Sequence, residues 1–274
     1  MPTANRPAPV IAILTDFGYR DHYAGVMKGV IAKIAPRAQV IDLTHGIPAQ
    51  SIAGGAIALA QSWRYFPAQT IFLAVVDPGV GTARKPVAIE TRAGARFAGP
   101  DNGLLALAAE QAGIGRIVEL RSPRYRLGDI SSTFHGRDIF APAAAWLARG
   151  ASIRALGPAV ERLAPLALPA ASISAGRIRG EVIYVDGFGN LITNISPAIL
   201  ARLGASFRGK RLSVRIGSSA AIKIYRAYGD APADSPLATI GSFNLLEIAV
   251  RDASAALRYR AAAGANVVVG AARA

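Results

Sequence analysis

The apolar positions of this chain fall into two textures. Up to about residue 150, short apolar runs alternate with longer segments whose apolar residues recur at the spacing of one helix face. Val10 to Leu14, Gln39 to Leu43 and Ile71 to Val76 read as strands. Between the first two, about His22 to Ala35 is a predicted helix. Ala24, Val26, Met27, Val30, Ile31 and Ile34 form its apolar face, and Pro36 ends it. Ser51 is the expected cap of a small-residue helix running to about Tyr65. Pro86 to Thr91 and Arg96 to Ala98 read as a strand pair, and Ile117 to Leu120 as a short strand. A helix to about Ala112 is expected after the turn Gly99-Pro100-Asp101-Asn102-Gly103, and another from Thr133 to about Arg149. Strands alternating with helices predict an α/β fold with a doubly wound, mostly parallel sheet.

The second texture begins near residue 165. Leu163 to Ser174 carries two prolines and little charge, and reads as a linker. Short strand-like runs follow at Glu181–Val185, Arg211–Ile216, Ala221–Tyr225, Glu247–Val250 and Asn266–Val269, separated by glycine turns. That pattern predicts a smaller all-β, barrel-like domain. The expected organisation is an α/β domain over 1–164, a linker over 165–178 and a barrel-like domain over 179–274.

Polar residues cluster where the apolar runs stop. The run Ile71–Val76 is followed at once by Asp77, then Pro78, Gly79 and Gly81, and Arg84 closes the turn. Ligands bind outside the carboxyl ends of strands in open α/β sheets. The Asp77–Arg84 pair is therefore either a surface ion pair in a turn or part of a site. Asp16, with Asp21, follows the first strand and reads either as a helix N-cap or as an acceptor for two ribose hydroxyls. His135, with Phe134, Arg137 and Asp138, starts a helix; it is either a helix-start residue satisfied by backbone or a group that orients or deprotonates water. Asp186-Gly187-Phe188-Gly189-Asn190, with Asn194, is the fourth cluster, in the second domain. Phe188 reads as a turn anchor or a stacking ring, and the two asparagines as turn closers or ligand readers. His22 and His45 read as structural or rim residues.

Composition narrows the chemistry. The chain has no cysteine, so thiolate metal sites and a cysteine nucleophile are excluded. Its three histidines lack the spacing of a zinc site, so no metal is expected. No G-x-G-x-x-G follows the first strand and no Walker sequence occurs, which suits a nucleoside better than a dinucleotide. The net charge of +14 raises nucleic acid as a partner, but the arginines are dispersed and no basic cluster has interleaved aromatics. No nucleic-acid partner is expected. No apolar run is long enough for a membrane span, and residues 1–9 lack a signal-peptide layout, so a cytoplasmic location is expected.

These clusters, in this order, resemble the S-adenosyl-L-methionine hydroxide adenosyltransferases, relatives of the fluorinase and chlorinase. The matching pieces are Thr15-Asp16-Phe17-Gly18 with Asp21, Val76 to Gly81 with Arg84, Gly99 to Gly103, Phe134 to Asp138, Asp186 to Asn190, and Ser242 with Glu247-Ile248-Ala249. The resemblance implies hydrolysis of S-adenosyl-L-methionine at the ribose 5′ carbon, giving adenosine and methionine. It makes S-adenosylmethionine a substrate and calls for no cofactor. Asp77, Arg84 and His135 match the family's catalytic triad, and Asp16 its ribose-binding acid. Asp186, Phe188, Asn190 and Ser242 match positions that hold the methionine end and the adenine, and Asp21 and Phe134 lie in matching substrate-binding motifs. A homotrimer is implied, with each site between one subunit's first domain and a neighbour's second.

The halide enzymes differ at several of these places. Fluorinase has a tyrosine at the position of Asp77, and arginines at those of Phe243 and Val250. The position of Gly136 carries a halide-contacting serine or, in chlorinase, a glycine. Thr91 to Gly99 is too short for the loop inserted in fluorinase. Chloride transfer and a non-catalytic adenosine or S-adenosylmethionine sensor remain the alternatives to hydrolysis.

Overall fold

A computed structural model describes residues 7–205 and 211–272. The first six residues, part of the stretch judged to lack a signal-peptide layout, lie outside the described residues. The chain divides into two compact units, with the boundary between Ala167 and Leu168.

The first unit is built on a six-stranded sheet. Its elements in chain order are β1 (Val10–Thr15), α1 (Tyr23–Ile34), β2 (Gln39–Thr44), α2 (Ile52–Ser62), β3 (Ile71–Val75), β4 (Pro86–Thr91), β5 (Arg96–Pro100), α3 (Ala106–Gln111), β6 (Ile114–Glu119) and α4 (Ala141–Ala148). The spatial order is β2-β1-β3-β5-β4-β6. The first four neighbours in that order run parallel, and β4 is antiparallel to both β5 and β6. The sheet is thus doubly wound and mixed, its parallel half carrying the crossovers.

Strand periodicity sends alternate side chains to opposite faces. Ile11, Ile13, Ile71, Leu73 and Val75 pack with Met27 and Ile31 of α1 and with the alanines of α4. Ala12, Leu14, Phe72, Ala74 and Val76 pack on the other face with Leu59 of α2 and Ala108 of α3. Both faces of β3 are buried, which is why its sequence is a continuous apolar run. The chain leaves β1 for β2 on one side and returns to β3 on the other. The carboxyl ends of β1 and β3 therefore flank a topological switch point, the place where open α/β sheets bind ligands.

Two details differ from the expected elements. The helix expected from Thr133 opens as a π-helical turn over Gly136–Phe140 before becoming α4. Such turns recur at functional sites and leave no separate trace in an apolar pattern. The small-residue helix stops at Ser62, its last expected turn being a 3-10 segment over Trp63–Tyr65; Ser51 does cap it, accepting from Gly54 N–H at 3.2 Å.

The second unit holds β7 (Ser172–Ser174), β8 (Arg177–Val185), β9 (Leu191–Thr193), α5 (Pro197–Ala205), β10 (Leu212–Ile216), β11 (Ile222–Lys223), β12 (Pro236–Ile240), β13 (Leu246–Val250), α6 (Ala255–Tyr259) and β14 (Asn266–Ala271). Its eight-stranded sheet runs β11-β10-β14-β8-β9-β13-β12, with β7 added on β8. A bridge from Ile224 to Ala238 links its two ends, so the antiparallel sheet is a nearly closed barrel around Ile178, Val182, Leu191, Val214, Ile248 and Val267. The 165–178 stretch, expected as a linker, contributes β7 and the first residues of β8. The all-β expectation also missed α5 and α6, which are short and lie between strands.

Candidate active site

Asp77 follows β3 after a single residue, Val76. Turns bonded from Val80 N–H to the Asp77 carbonyl and from Thr82 N–H to the Gly79 carbonyl fold the chain back, so that Arg84 faces the aspartate seven residues earlier. Arg84 Nε donates to Asp77 Oδ1 at 2.9 Å, and Nη2 donates to Oδ2. The two side chains are 6% and 8% exposed, so this is a buried bidentate pair and not a surface ion pair. The guanidinium also lies 5.2 Å from the Phe140 ring centroid. Asn102 supports the strand end, its Nδ2 donating to the Val76 carbonyl at 2.9 Å. That gives the Gly99–Gly103 motif a physical role which its turn chemistry alone did not disclose.

His135 reaches the same guanidinium from the start of the π-helical turn. Arg84 Nη2 and His135 Nδ1 are 2.7 Å apart. Arginine only donates, so Nδ1 is the acceptor and a neutral His135 carries its proton on Nε2. Burial, then the charge of Arg84, hold the His135 pKa below the ordinary histidine value; Asp77 and Asp138 pull it back in part. Arg84 Nη1 is a buried donor nitrogen with no acceptor among the described residues. Asp138 belongs to the same polar cluster as His135 in the sequence. It is fully buried, gripped by Arg137 at 2.6 and 3.0 Å, and accepts from Ser131 N–H at 2.8 Å. It shapes the loop before His135.

Asp16 is not a helix cap. The residue that precedes α1 is His22, which makes no side-chain cap bond. Asp16 Oδ2 instead accepts from Gln50 N–H at 2.8 Å, a partner 34 residues away that no motif announced. The register that pairs Thr15 with Val75 places Asp16 and Asp77 just past the ends of neighbouring parallel strands. Phe17, Tyr23 and Phe134 pack edge-on or tilted at 5.2–5.9 Å, joining the Asp16 loop to the His135 loop. Asp21 sits exposed in the bend before α1.

The loop of Asp16 rests on a polar chain that is buried at Thr15 and His45 and reaches the surface at Asp42 and Lys28. Thr15 Oγ1 lies 2.7 Å from His45 Nδ1, His45 Nε2 lies 3.2 Å from Asp42 Oδ1, and Lys28 Nζ donates to Asp42 Oδ2 at 2.6 Å. Gly18 N–H donates to the His45 carbonyl at 2.8 Å. His45 is fully buried, so it is a structural residue and not a rim one. Thr15→Val is expected to lower stability by about 1–3 kcal/mol, the cost of a buried group left without its partner. Thr15→Ser should restore most of it; denaturant unfolding of both variants is the check.

In the second unit, Asp186 ties its own turn. Oδ1 accepts from the backbone N–H of Phe188 and Asn190, both at 2.9 Å, and Oδ2 accepts from Asn190 Nδ2 at 2.9 Å. Phe188, at the tip, is 83% exposed, so it anchors no core in this unit. Asn194 closes structure, accepting from Glu181 N–H and donating to the Pro169 carbonyl, both at 2.9 Å. Ser242 is exposed in the turn before β13. Glu247, seen in the sequence only as part of a motif, is buried on β13 and takes the Tyr228 hydroxyl on Oε1. Burial pushes the Glu247 pKa up, Asp186 adds to that, and the Tyr228 bond opposes it.

Gly136 bears on the halide alternative. A Cβ at this position would lie 3.1 Å from Met27 Sδ and 3.3 Å from Phe134 Cε2. The serine of some halide enzymes would need its neighbours to give way here.

Comparison with known proteins accords with this geometry. Residues 11–157 match the family model of the SAM hydroxide adenosyltransferase N-terminal domain, and residues 180–268 that of the C-terminal domain. The chain is 41% identical over 251 residues to the (R)-S-adenosyl-L-methionine hydrolase of Salinispora arenicola, covering 90% of this chain and 92% of that one. It is 41% identical over 254 residues to the enzyme of the same name from Thermus thermophilus, covering 89% and 93%. A fluorinase of Actinoplanes is more distant, at 27% over 289 residues, covering 95% and 97%. Among solved structures, an uncharacterized conserved protein from Thermotoga maritima superposes with a TM-score of 0.87 at 35% identity, covering 95% of this chain and 99% of that one. The chain belongs to the SAM hydroxide adenosyltransferase family.

Proposed function

We propose that this protein is an enzyme that hydrolyses S-adenosyl-L-methionine, water attacking the ribose 5′ carbon to give adenosine and L-methionine. The carrying observation is the buried guanidinium of Arg84, which grips Asp77 and His135 together at the end of β3. The hydrolase relatives at 41% identity over most of the chain support the same reading.

The substrate sets the demands. A new C5′–O bond forms as the C5′–S bond breaks, and its electron pair goes to sulfur. The sulfonium leaves as a neutral thioether, so the leaving group needs no general acid. The site must hold a water in line with the breaking bond and favour its loss of a proton. Arg84 supplies a fixed positive charge for hydroxide character. Its Nη1, buried without an acceptor, is the donor assigned to the nucleophile's oxygen. Asp77 has both oxygens on Arg84, and His135 has its only free lone pair there. His135 can take the proton only by giving up its Arg84 bond, whereas each Asp77 oxygen keeps a lone pair beyond its Arg84 bond, so Asp77 can accept the water's proton while still orienting the guanidinium. Asp16, fixed by Gln50, is the assigned ribose reader. Asp186, Phe188, Asn190 and Ser242 are assigned to the methionine and adenine ends, with Asp21 and Phe134 beside the ribose. The assembly in the proposal is a homotrimer with sites at subunit interfaces, for which a native mass of three chains is expected.

The test is turnover of S-adenosylmethionine in ¹⁸O-water, with adenosine read by mass spectrometry. Label at the 5′ oxygen of adenosine is expected, at a rate independent of chloride. A chlorinated nucleoside in the chloride arm would make the protein a halide transferase, and saturable binding without product would make it a sensor.

A further inference from the structure

Beside the triad, within the first unit, is a cleft of about 480 Å³. The loop from Thr82 to Pro86, the end of β6, Arg126 and Ile130 line it, and Arg84 and His135 form part of its wall. Its charges are unbalanced. Arg84, Lys85, Arg121 and Arg126 face a single lining carboxylate, Glu119. Arg84 is taken up by Asp77, and Arg121 Nε donates to Glu119 Oε1 at 2.8 Å. Lys85 and Arg126 have no carboxylate partner among the described residues.

Arg126 is held in place as well as uncompensated. Its Nη2 donates to the Arg121 carbonyl at 2.6 Å, while Nε is buried with no acceptor. Its charge reaches far enough to help depress the His135 pKa. Two unpaired cations in a cleft walled partly by Leu120, Ile130 and Ile139 focus a positive field. S-adenosylmethionine does not match it, since its sulfonium and ammonium outnumber its one carboxylate. The chemistry that matches is a small oxyanion, able to accept from a guanidinium fork and an ammonium together.

We propose that this cleft is an oxyanion site, in which a phosphate-like group is held between Lys85 and Arg126 beside the Arg84–His135 wall. It shares the Arg84–His135 wall with the triad but none of the residues assigned to the ribose, adenine or methionine, and it stands whether or not the protein is a hydrolase. The experiment is calorimetric titration of the intact protein with inorganic phosphate at low ionic strength. One saturable site per chain is expected. Lys85→Gln and Arg126→Gln should each weaken binding about tenfold or more, as loss of one charge-assisted contact does. Arg64→Gln, with the same change of net charge outside the cleft, should not. Absence of saturable binding, binding that survives both cleft substitutions, or equal weakening by Arg64→Gln would each overturn the site. Lys85 is exposed, so its variant carries the test if Arg126→Gln does not fold.

Discussion

Arg84→Lys is expected to cut kcat for S-adenosylmethionine hydrolysis by about 10²–10⁴-fold while changing KM only a few-fold, the range that a lost acid–base or orienting group spans. Lysine keeps the charge and loses the geometry. A guanidinium can bond both oxygens of Asp77 and the Nδ1 of His135 at once, as it does here. An ammonium on a flexible stem is a point charge and cannot hold all three atoms in one plane. Alanine is the poorer probe, because Asp77 would be left a buried, unpaired carboxylate, at about 3–5 kcal/mol of stability. Adenosine release and thermal unfolding measured on the lysine variant separate chemistry from folding. Near-parental turnover with only a raised KM would remove Arg84 from the chemistry. The pH profile gives a second readout. An imidazolium cannot accept from Arg84, so the triad is intact only while His135 is neutral. Burial and the Arg84 charge hold its pKa down, so the neutral form, and with it the rate, should persist below the ordinary histidine pKa and be lost as pH falls through the lowered value.

The parts of this site that the sequence discloses are those whose partners lie close along the chain or at the end of a recognisable run. Asp77 ends an apolar strand, Arg84 is one turn away, and His135 opens a helix, so each is visible in place. Their meeting is not, because 51 residues separate Arg84 from His135. The supporting bonds are hidden for the same reason. Gln50 fixes Asp16 through a backbone N–H, which any residue type supplies. Asn102 holds Val76 through a carbonyl, 26 residues back. His45 carries no periodic signal that distinguishes a buried histidine from a rim one. In the second unit β9 spans only Leu191–Thr193, and β12 begins with a proline, a residue that argues against a central strand; both escape an alternation test. The layers of the first sheet are legible because apolar strand runs alternate with helical segments along the chain, and the structure packs Ile11 and Ile13 against one helix layer and Ala12 and Leu14 against the other. The antiparallel arrangement of β4 depends on pairing, which alternation does not encode.

Gly81→Ala is expected to damage the same triad from a residue that touches no substrate. Gly81 has φ +76°, a conformation that costs a residue with a Cβ about 1–2 kcal/mol. The added Cβ would also stand 2.6 Å from the Ser132 carbonyl oxygen, inside any permitted contact, and both groups are held by backbone. Something must shift, and the movable partner is the loop leading to His135. That loop is tethered through Ser131 N–H to buried Asp138, so displacing Ser132 pivots the residues just after it. The 2.7 Å contact between His135 Nδ1 and Arg84 Nη2 is then the one that lengthens, and hydrogen bonds weaken steeply with misalignment. The expected outcome is a loss of about 1–3 kcal/mol in stability, as for other residues held in a sparsely populated backbone region, with kcat down at least about tenfold. Gly79→Ala is the matched control. No positive φ is required there, and its nearest neighbours, Arg84 Cγ and Thr82 Oγ1, lie at an ordinary 3.4 Å. It should keep most of its activity and stability. Equal turnover in the two variants, measured below both melting temperatures, would show that the contact between the Asp77 loop and Ser132 does not set the position of His135.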